Sequence, residues 1–228
     1  AWDGSSWSQL GGDIDGEAAN DYSGYSVSLS SDGTAVAIGA YLNEGNGSDS
    51  AGHTRIYAWN GSSWSQLGED IDGEAAGDES GVSVSLSSDG TVVAIGAPVN
   101  DGNGNNSGHT RIYAWDGSSW SQLGGDIDGE AAGDYSGYRV SLSSDGTVVA
   151  IGALFNDGNG NNSGHTRIHA WDGSSWSQLG GDIDGEAASD WSGYSVSLSS
   201  DGTAVAIGAP YNDGNGSYSG HTRIYSIN

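Results

Sequence analysis

The sequence contains no cysteine and no lysine, and its only permanent side-chain cations are five arginines. Without cysteine there is no disulfide, no thiolate metal ligand and no cysteine nucleophile, and the redox compartment stays unassigned. Against those five cations stand 30 Asp and Glu, giving a formal net charge of −25. Such a chain has almost no positive surface with which to displace the counterions of nucleic acid, and anionic lipid headgroups repel it. Its natural counterparts are cations, basic surfaces or neutral polar ligands. No apolar run approaches the roughly 18 residues of a membrane span, so no membrane insertion is expected. There is no signal-type segment, and the chain opens at Ala1, as a processed product or an excised part of a longer protein would. Helical periodicity and heptads are also missing.

Apolar residues make up only 35% of the chain and glycine occupies 41 positions, a composition close to that of disordered chains. Internal repetition overturns that reading. The chain aligns on itself as four near-identical units, residues 1–57, 58–113, 114–169 and 170–225, with a period of 56. The one extra residue of the first unit falls in the 43–52 segment, which marks a surface loop. A single domain over 1–228 is expected.

Within each unit, short runs of alternating apolar and small polar residues are bounded by Gly, Asn, Asp and Ser, the pattern of β-strands. In the second unit these are 83–87, 91–97, 110–115 and 119–123, here termed A, B, C and D. Tight glycine turns at Ser88-Asp89-Gly90 and Asp116-Gly117-Ser118 join A to B and C to D. Four antiparallel strands in a repeat of this length predict a β-propeller blade. The expected fold is therefore all-β, with four propeller blades per chain. The chain begins with a D-type segment, residues 5–10, and ends on a C strand, so the N-terminal strand is expected to complete the last blade and close the ring within one monomer. The alternative is half of an eight-bladed ring made by two chains.

The run Ser80-Gly81-Val82-Ser83-Val84-Ser85-Leu86-Ser87-Ser88-Asp89-Gly90-Thr91-Val92-Val93-Ala94-Ile95-Gly96-Ala97-Pro98 resembles the FG-GAP repeat of integrin α-chain propellers and of many bacterial surface and secreted proteins. Matching runs stand at 23–40, 136–153 and 192–210, so the resemblance extends over all four units. It implies a propeller acting as a binding or adhesion module, extracellular or at the cell surface. Two departures matter. Ser-Gly replaces the family's Phe-Gly opening, and the long calcium-binding A to B loop of integrin blades is shortened to a Ser-Ser-Asp-Gly-Thr hairpin, so that calcium site is not carried over.

The charge is polarised. Strand alternation sends the D to A and B to C links to one face of a disc with 23 acids, and the A to B and C to D hairpins to the other with seven. The D to A link carries Asp13, Asp15, Glu17 and Asp21, then Asp70, Asp72, Glu74 and Asp78, then Asp126, Asp128, Glu130 and Asp134, then Asp182, Asp184, Glu186 and Asp190. This spacing of oxygen ligands resembles that of loops that wrap Ca²⁺, and a hard cation would relieve the carboxylate repulsion. The plainer alternative is a solvated turn whose Asp side chains cap backbone N–H groups. The B to C link, 100–108, reads as a flexible Gly/Asn loop that could add metal or sugar contacts.

Each unit carries one His-Thr-Arg, at His53, His109, His165 and His221. The Arg is expected to pair with an adjacent acidic link, and the His to serve a structural hydrogen bond rather than a metal. Paired tryptophans such as Trp59 and Trp64 are expected to pack across the C to D hairpin, with sugar stacking as the alternative. Arg139, His169 and Trp191 break the repeat and read as drift. No nucleophile, base and orienter can be assembled, and four equivalent carboxylate sets lack the unlike environments an acid/base pair needs, so no enzyme is expected. The expected function is a binding or adhesion module with four equivalent acidic sites that take cations, Ca²⁺ among them, and through them a glycan or protein. The alternatives are a ligand-free scaffold and a calcium-assisted lectin.

Overall fold

The computed structural model describes residues 2, 4–45 and 49–227, and part of the first unit's extra-residue loop lies outside them. The first sheet is built from β1 (Ser26–Leu29), β2 (Ala35–Ala40), β3 (His53–Trp59) and β4 (Trp64–Gln66), with the two-residue β5 (Ile71–Asp72) also on β3. The second repeats it with β6 (Ser83–Leu86), β7 (Val92–Ala97), β8 (His109–Trp115), β9 (Trp120–Gln122) and β10 (Ile127–Asp128). The third has β11 (Ser136–Leu142), β12 (Val148–Ala153), β13 (His165–Trp171), β14 (Trp176–Gln178) and β15 (Ile183–Asp184). The fourth holds only β16 (Ser195–Leu198), β17 (Ala204–Ala209) and β18 (His221–Ser226). The named strands pair antiparallel, as the alternating pattern and glycine hairpins predict, and isolated parallel bridges such as Gly108 to Ser136 link one unit to the next.

The blades stack face to face, and the period-two alternation decides what each face offers. Val84 and Leu86 point back into the first blade, where they meet Ala35, Ala37 and Ile56. Ser85, between them, points forward, and its hydroxyl accepts the Leu142 N–H of the third blade at 2.9 Å. Near the axis the sheets come closer than a side chain permits: a Cβ at Gly96 would run into the carbonyl of Gly137. Glycine as the penultimate residue of strand B is therefore a packing requirement. The same apolar set recurs at the next two junctions, with Ile112 against Val149 and Ile168 against Val205, Ile112 and both valines wholly buried and Ile168 nearly so.

The four-bladed array is as the repeats predict, but the expected clasp does not form. Among the described residues β18 has no fourth strand beside it, and the N-terminal hairpin pairs only Trp2 with Trp7. The segment keeps the place a D strand holds at the other junctions, since Trp64 Nε1 donates to the Leu10 carbonyl at 2.9 Å just as Trp120 and Trp176 do to the Leu67 and Leu123 carbonyls. What is missing is β18 beside it: four blades do not curve far enough to bring the two ends of the stack together. The blades form an open arc whose two end faces are uncovered: Val27 and Leu29 on β1 are 64% and 58% exposed and Ile224 on β18 is 75% exposed.

Candidate metal centre

Histidine opens strand C in every unit, and the register fixes what it faces. His53 pairs with Ala40 on β2 and with Asp72 on β5, so its ring sits at the seam between the incoming and outgoing acidic links. Its Nδ1 lies 3.8 Å from Glu17 Oε2 of the incoming link and 3.7 Å from Asp70 Oδ2 of the outgoing one. The same three residue types converge as Glu74, His109 and Asp126, and as Glu130, His165 and Asp182, with one ligand atom from each residue within 4.8 Å of the others. Glu74 Oε2 and Glu130 Oε2 stand 3.8 and 3.7 Å from their histidines. Each of these groups can hold a metal ion. In the fourth unit Glu186 Oε2 stands 3.4 Å from His221 Nδ1.

The imidazoles of His53, His109 and His165 are buried and held neutral. Burial pushes His53, His109 and His165 below the ordinary histidine value, and the neighbouring arginine adds to the effect; His165 is brought down to about 4. A neutral imidazole is the form that donates a lone pair to a metal. His165 is 1% exposed and neither ring nitrogen has a hydrogen-bond partner; His109 Nε2 is likewise unpartnered. Burial also raises Glu130 above the usual carboxylate value, with Arg167 acting against the shift.

The arginines do two things at once. Nη2 of Arg55, Arg111 and Arg167 donates to the backbone carbonyl of Asp15, Asp72 and Asp128, and Arg223 repeats this with Asp184. Nη1 of the first three stands 3.6–3.8 Å from Oε1 of Glu17, Glu74 and Glu130. The expected pairing to the acidic link is present, to Glu rather than Asp, and it leaves Oε2 facing the histidine.

The acids of one link go to different surroundings. Glu17, Glu74 and Glu130 join a histidine with Asp70, Asp126 and Asp182 of the following link, so the centres lie between links and not within one. Asp13, Asp70, Asp126 and Asp182 each accept Nε2 of the glutamine four residues before, Gln9, Gln66, Gln122 and Gln178. Asp72, Asp128 and Asp184 are drawn into short strands, and Asp15 offers its carbonyl to Arg55. Asp21, Asp78, Asp134 and Asp190 are buried; each takes the amide of an asparagine on the B to C link, Asn43, Asn100, Asn156 or Asn212, and the N–H of the alanine three residues before.

The B to C link is pinned, not flexible, in the second and third units. Asn103 Nδ2 donates to the Gly129 and Glu130 carbonyls, and Asn159 repeats this with Gly185 and Glu186. Tryptophans pack across the hairpin as expected, with ring centroids 5.3 Å apart for Trp59 and Trp64. Trp191 is more than drift: Tyr135, Phe155, Trp191, Tyr211 and Tyr218 form one continuous chain of ring contacts across the last two blades. Arg139 lies over the Tyr138 ring at 4.5 Å.

The histidine's place in the centre was the missed element. Its signal was a constant spacing of seventeen residues to the aspartate, 53 to 70, 109 to 126 and 165 to 182, which no single loop motif contains.

Known proteins place the fold and the repeat. A putative 6-phosphogluconolactonase from Bacteroides uniformis superimposes with a TM-score of 0.60 at 12% identity, over 89% of this chain and 50% of that one. Kuenenia stuttgartiensis hydrazine synthase gives 0.56 at 12% identity, over 95% of this chain and 50% of that one. At this identity the likeness is one of fold alone, and the chain spans half the length of the structures it matches. No curated protein matches the sequence. The FG-GAP repeat pattern matches at 14–57, 71–113, 127–175 and 183–225, and the chain belongs to the FG-GAP repeat family.

Proposed function

We propose that the chain is a non-catalytic binding module that holds a divalent cation at each blade junction and presents it, on the acidic face, to an extracellular or cell-surface ligand. The observation that carries this is His165, 1% exposed with both nitrogens unpartnered, its Nδ1 3.7 Å from Glu130 Oε2 and Asp182 in the same group of converging ligand atoms. An unpartnered buried polar atom costs about 1–3 kcal/mol, which a bound cation would offset. Repetition of the centre would turn weak single-site affinity into avidity.

One imidazole with two carboxylates suits zinc or another imidazole-accepting first-row ion better than calcium, which prefers six to eight oxygens. Calcium, expected from the acid spacing, would draw instead on the oxygens of the 420 Å³ cleft lined by Glu74, Asp78, Asn100 and Asp101. The aromatic chain through Trp191 favours a glycan as the ligand, since partly exposed rings offer faces on which a sugar stacks. Calorimetry with Zn²⁺, Ca²⁺ and Mg²⁺ on chelator-treated protein tests the reading: zinc binding with a chelator-reversible rise in melting temperature is expected. No heat with any of the three would leave the scaffold reading, in which the Arg to Glu pairs and the Arg to carbonyl bonds only tie blades together.

A further inference from the structure

We infer that two copies of this chain close head to tail into one eight-bladed ring, each copy's first blade seating against the fourth blade of the other. The two uncovered end faces are the two halves of a contact that the chain already makes three times. Val84 and Leu86 are 8% and 7% exposed where a blade precedes them; Val27 and Leu29 occupy the same repeat positions with none before them. Ile56, Ile112 and Ile168 are covered by the next blade, and Ile224 is the bare equivalent.

The polar details match as well. Ser31 N–H donates to the Ser88 carbonyl, Ser88 to Ser144 and Ser144 to Ser200, a ladder running from blade to blade that stops at the fourth. A Cβ at Gly39, Gly96 or Gly152 would strike the carbonyl of Gly81, Gly137 or Gly193 in the next blade. At Gly208 it would meet only Ser195 of its own sheet, and a Cβ at Gly24, the glycine that should face it, would enter open space. Finally, among the described residues β18 has no outer strand of the kind that β3, β8 and β13 carry, and the D-type segment shows one bridge, Trp7 to Trp2. Ser226-Ile227 and Ala1-Trp2 hold the same repeat position, so in the ring Trp2 of the partner subunit gives way to Ile227, whose N–H already bonds the Thr203 carbonyl in strand register.

A head-to-tail contact closes when its rotation divides the circle, and two copies are the fewest that can bring an uncovered first face of one copy to the uncovered last face of another at both ends. Closure also completes the fourth centre. Glu186 and His221 lack an outgoing aspartate, while Asp13 opens the chain's first link without an incoming histidine. In the ring Asp13 of the partner subunit takes the place that Asp70, Asp126 and Asp182 hold elsewhere. The closure stands on the faces alone; the completed fourth centre rests on the cation reading above.

The test is the mass of the 228-residue chain by size exclusion with light scattering, across concentration and salt. Twice 23.0 kDa is expected, with salt favouring association because each copy carries −25. Leu29→Asp and Ile224→Asp should each give a monomer with unchanged circular dichroism, since both side chains are exposed in the single chain. An equimolar mixture of the two variants should regain the dimer mass, because one of the two junctions is then wild type on both sides. A wild-type monomer at all concentrations assigns the end faces to repeats beyond this chain and overturns the ring, as does a ladder of masses above two copies. Native mass spectrometry with Zn²⁺ then separates the two layers: eight ions per dimer are expected, and six would remove Asp13 of the partner subunit from the fourth centre.

Discussion

His53 and Asp70 belong to successive repeat units, yet Nδ1 of one lies 3.7 Å from Oδ2 of the other. The hairpin Trp59 to Trp64 and the link after it fold the chain back so that β5 pairs with β3, and this return brings the aspartate to the histidine. Glu17, from the link before the blade, reaches the same nitrogen at 3.8 Å, so the centre needs both the fold-back within one sheet and the link that enters it, and disrupting one junction should remove one centre.

His165→Ala should lower the number of zinc ions bound per chain by one and leave the other centres' affinity unchanged. Titration calorimetry reads this as a fall in stoichiometry. An unchanged stoichiometry would place the cation elsewhere.

Two aspartates of the same link should separate into different roles. Asp78→Ala removes the acceptor for Asn100 Nδ2 and Ala75 N, and the loss of hydrogen bonds to a buried charge should cost about 2–4 kcal/mol in chemical denaturation. Asp126→Ala, at a more exposed position, should cost little stability and weaken zinc binding.

Gly96→Ala and Gly208→Ala should differ, although both sit at the same repeat position. The first forces a methyl group onto a backbone carbonyl and should lower stability by about 1–3 kcal/mol. The second meets only a serine side chain that can rotate, so the monomer should keep its melting temperature while association between copies fails.

His169 supplies a pH test at a residue outside the proposed ligand set, with Asp182 of that set opposing its shift. Burial, helped by Arg167, brings its pKa down to about 4, against about 6.5 in an unfolded chain. As pH falls from 6.5 to 4 the unfolded state takes up a proton that the folded state refuses, so stability is lost across that window and this group adds nothing further below it. The loss is on the order of 3 kcal/mol. His169→Tyr, restoring the residue found at Tyr57, Tyr113 and Tyr225, should flatten part of the acid decline in melting temperature. The buried His53, His109 and His165 keep the remainder, since their shifts have the same sign.

Blade content was legible because strand alternation and glycine turns are local: β6, β7, β8 and β9 fall within a residue or so of the runs read from the sequence. The two-residue β5, β10 and β15 were not, because an Ile-Asp pair becomes a strand only when a neighbouring C strand offers an edge. Acid spacing suggested a loop around one ion, whereas Asp78 turns inward to Asn100 and Asp70 outward to His53. Which way each side chain points depends on packing between blades, and no single unit contains that information. The clasp failed for a related reason: strand counting balanced the two ends, while the curvature of the blade stack, which decides whether those ends meet, is contained in no single unit.

The most direct test of the cation-bearing junction is anomalous diffraction at the zinc absorption edge from crystals equilibrated with Zn²⁺. Peaks are predicted between Glu17, His53 and Asp70, between Glu74, His109 and Asp126, and between Glu130, His165 and Asp182. Peaks confined to the acids of a single link, or no peak at any histidine, would contradict the account.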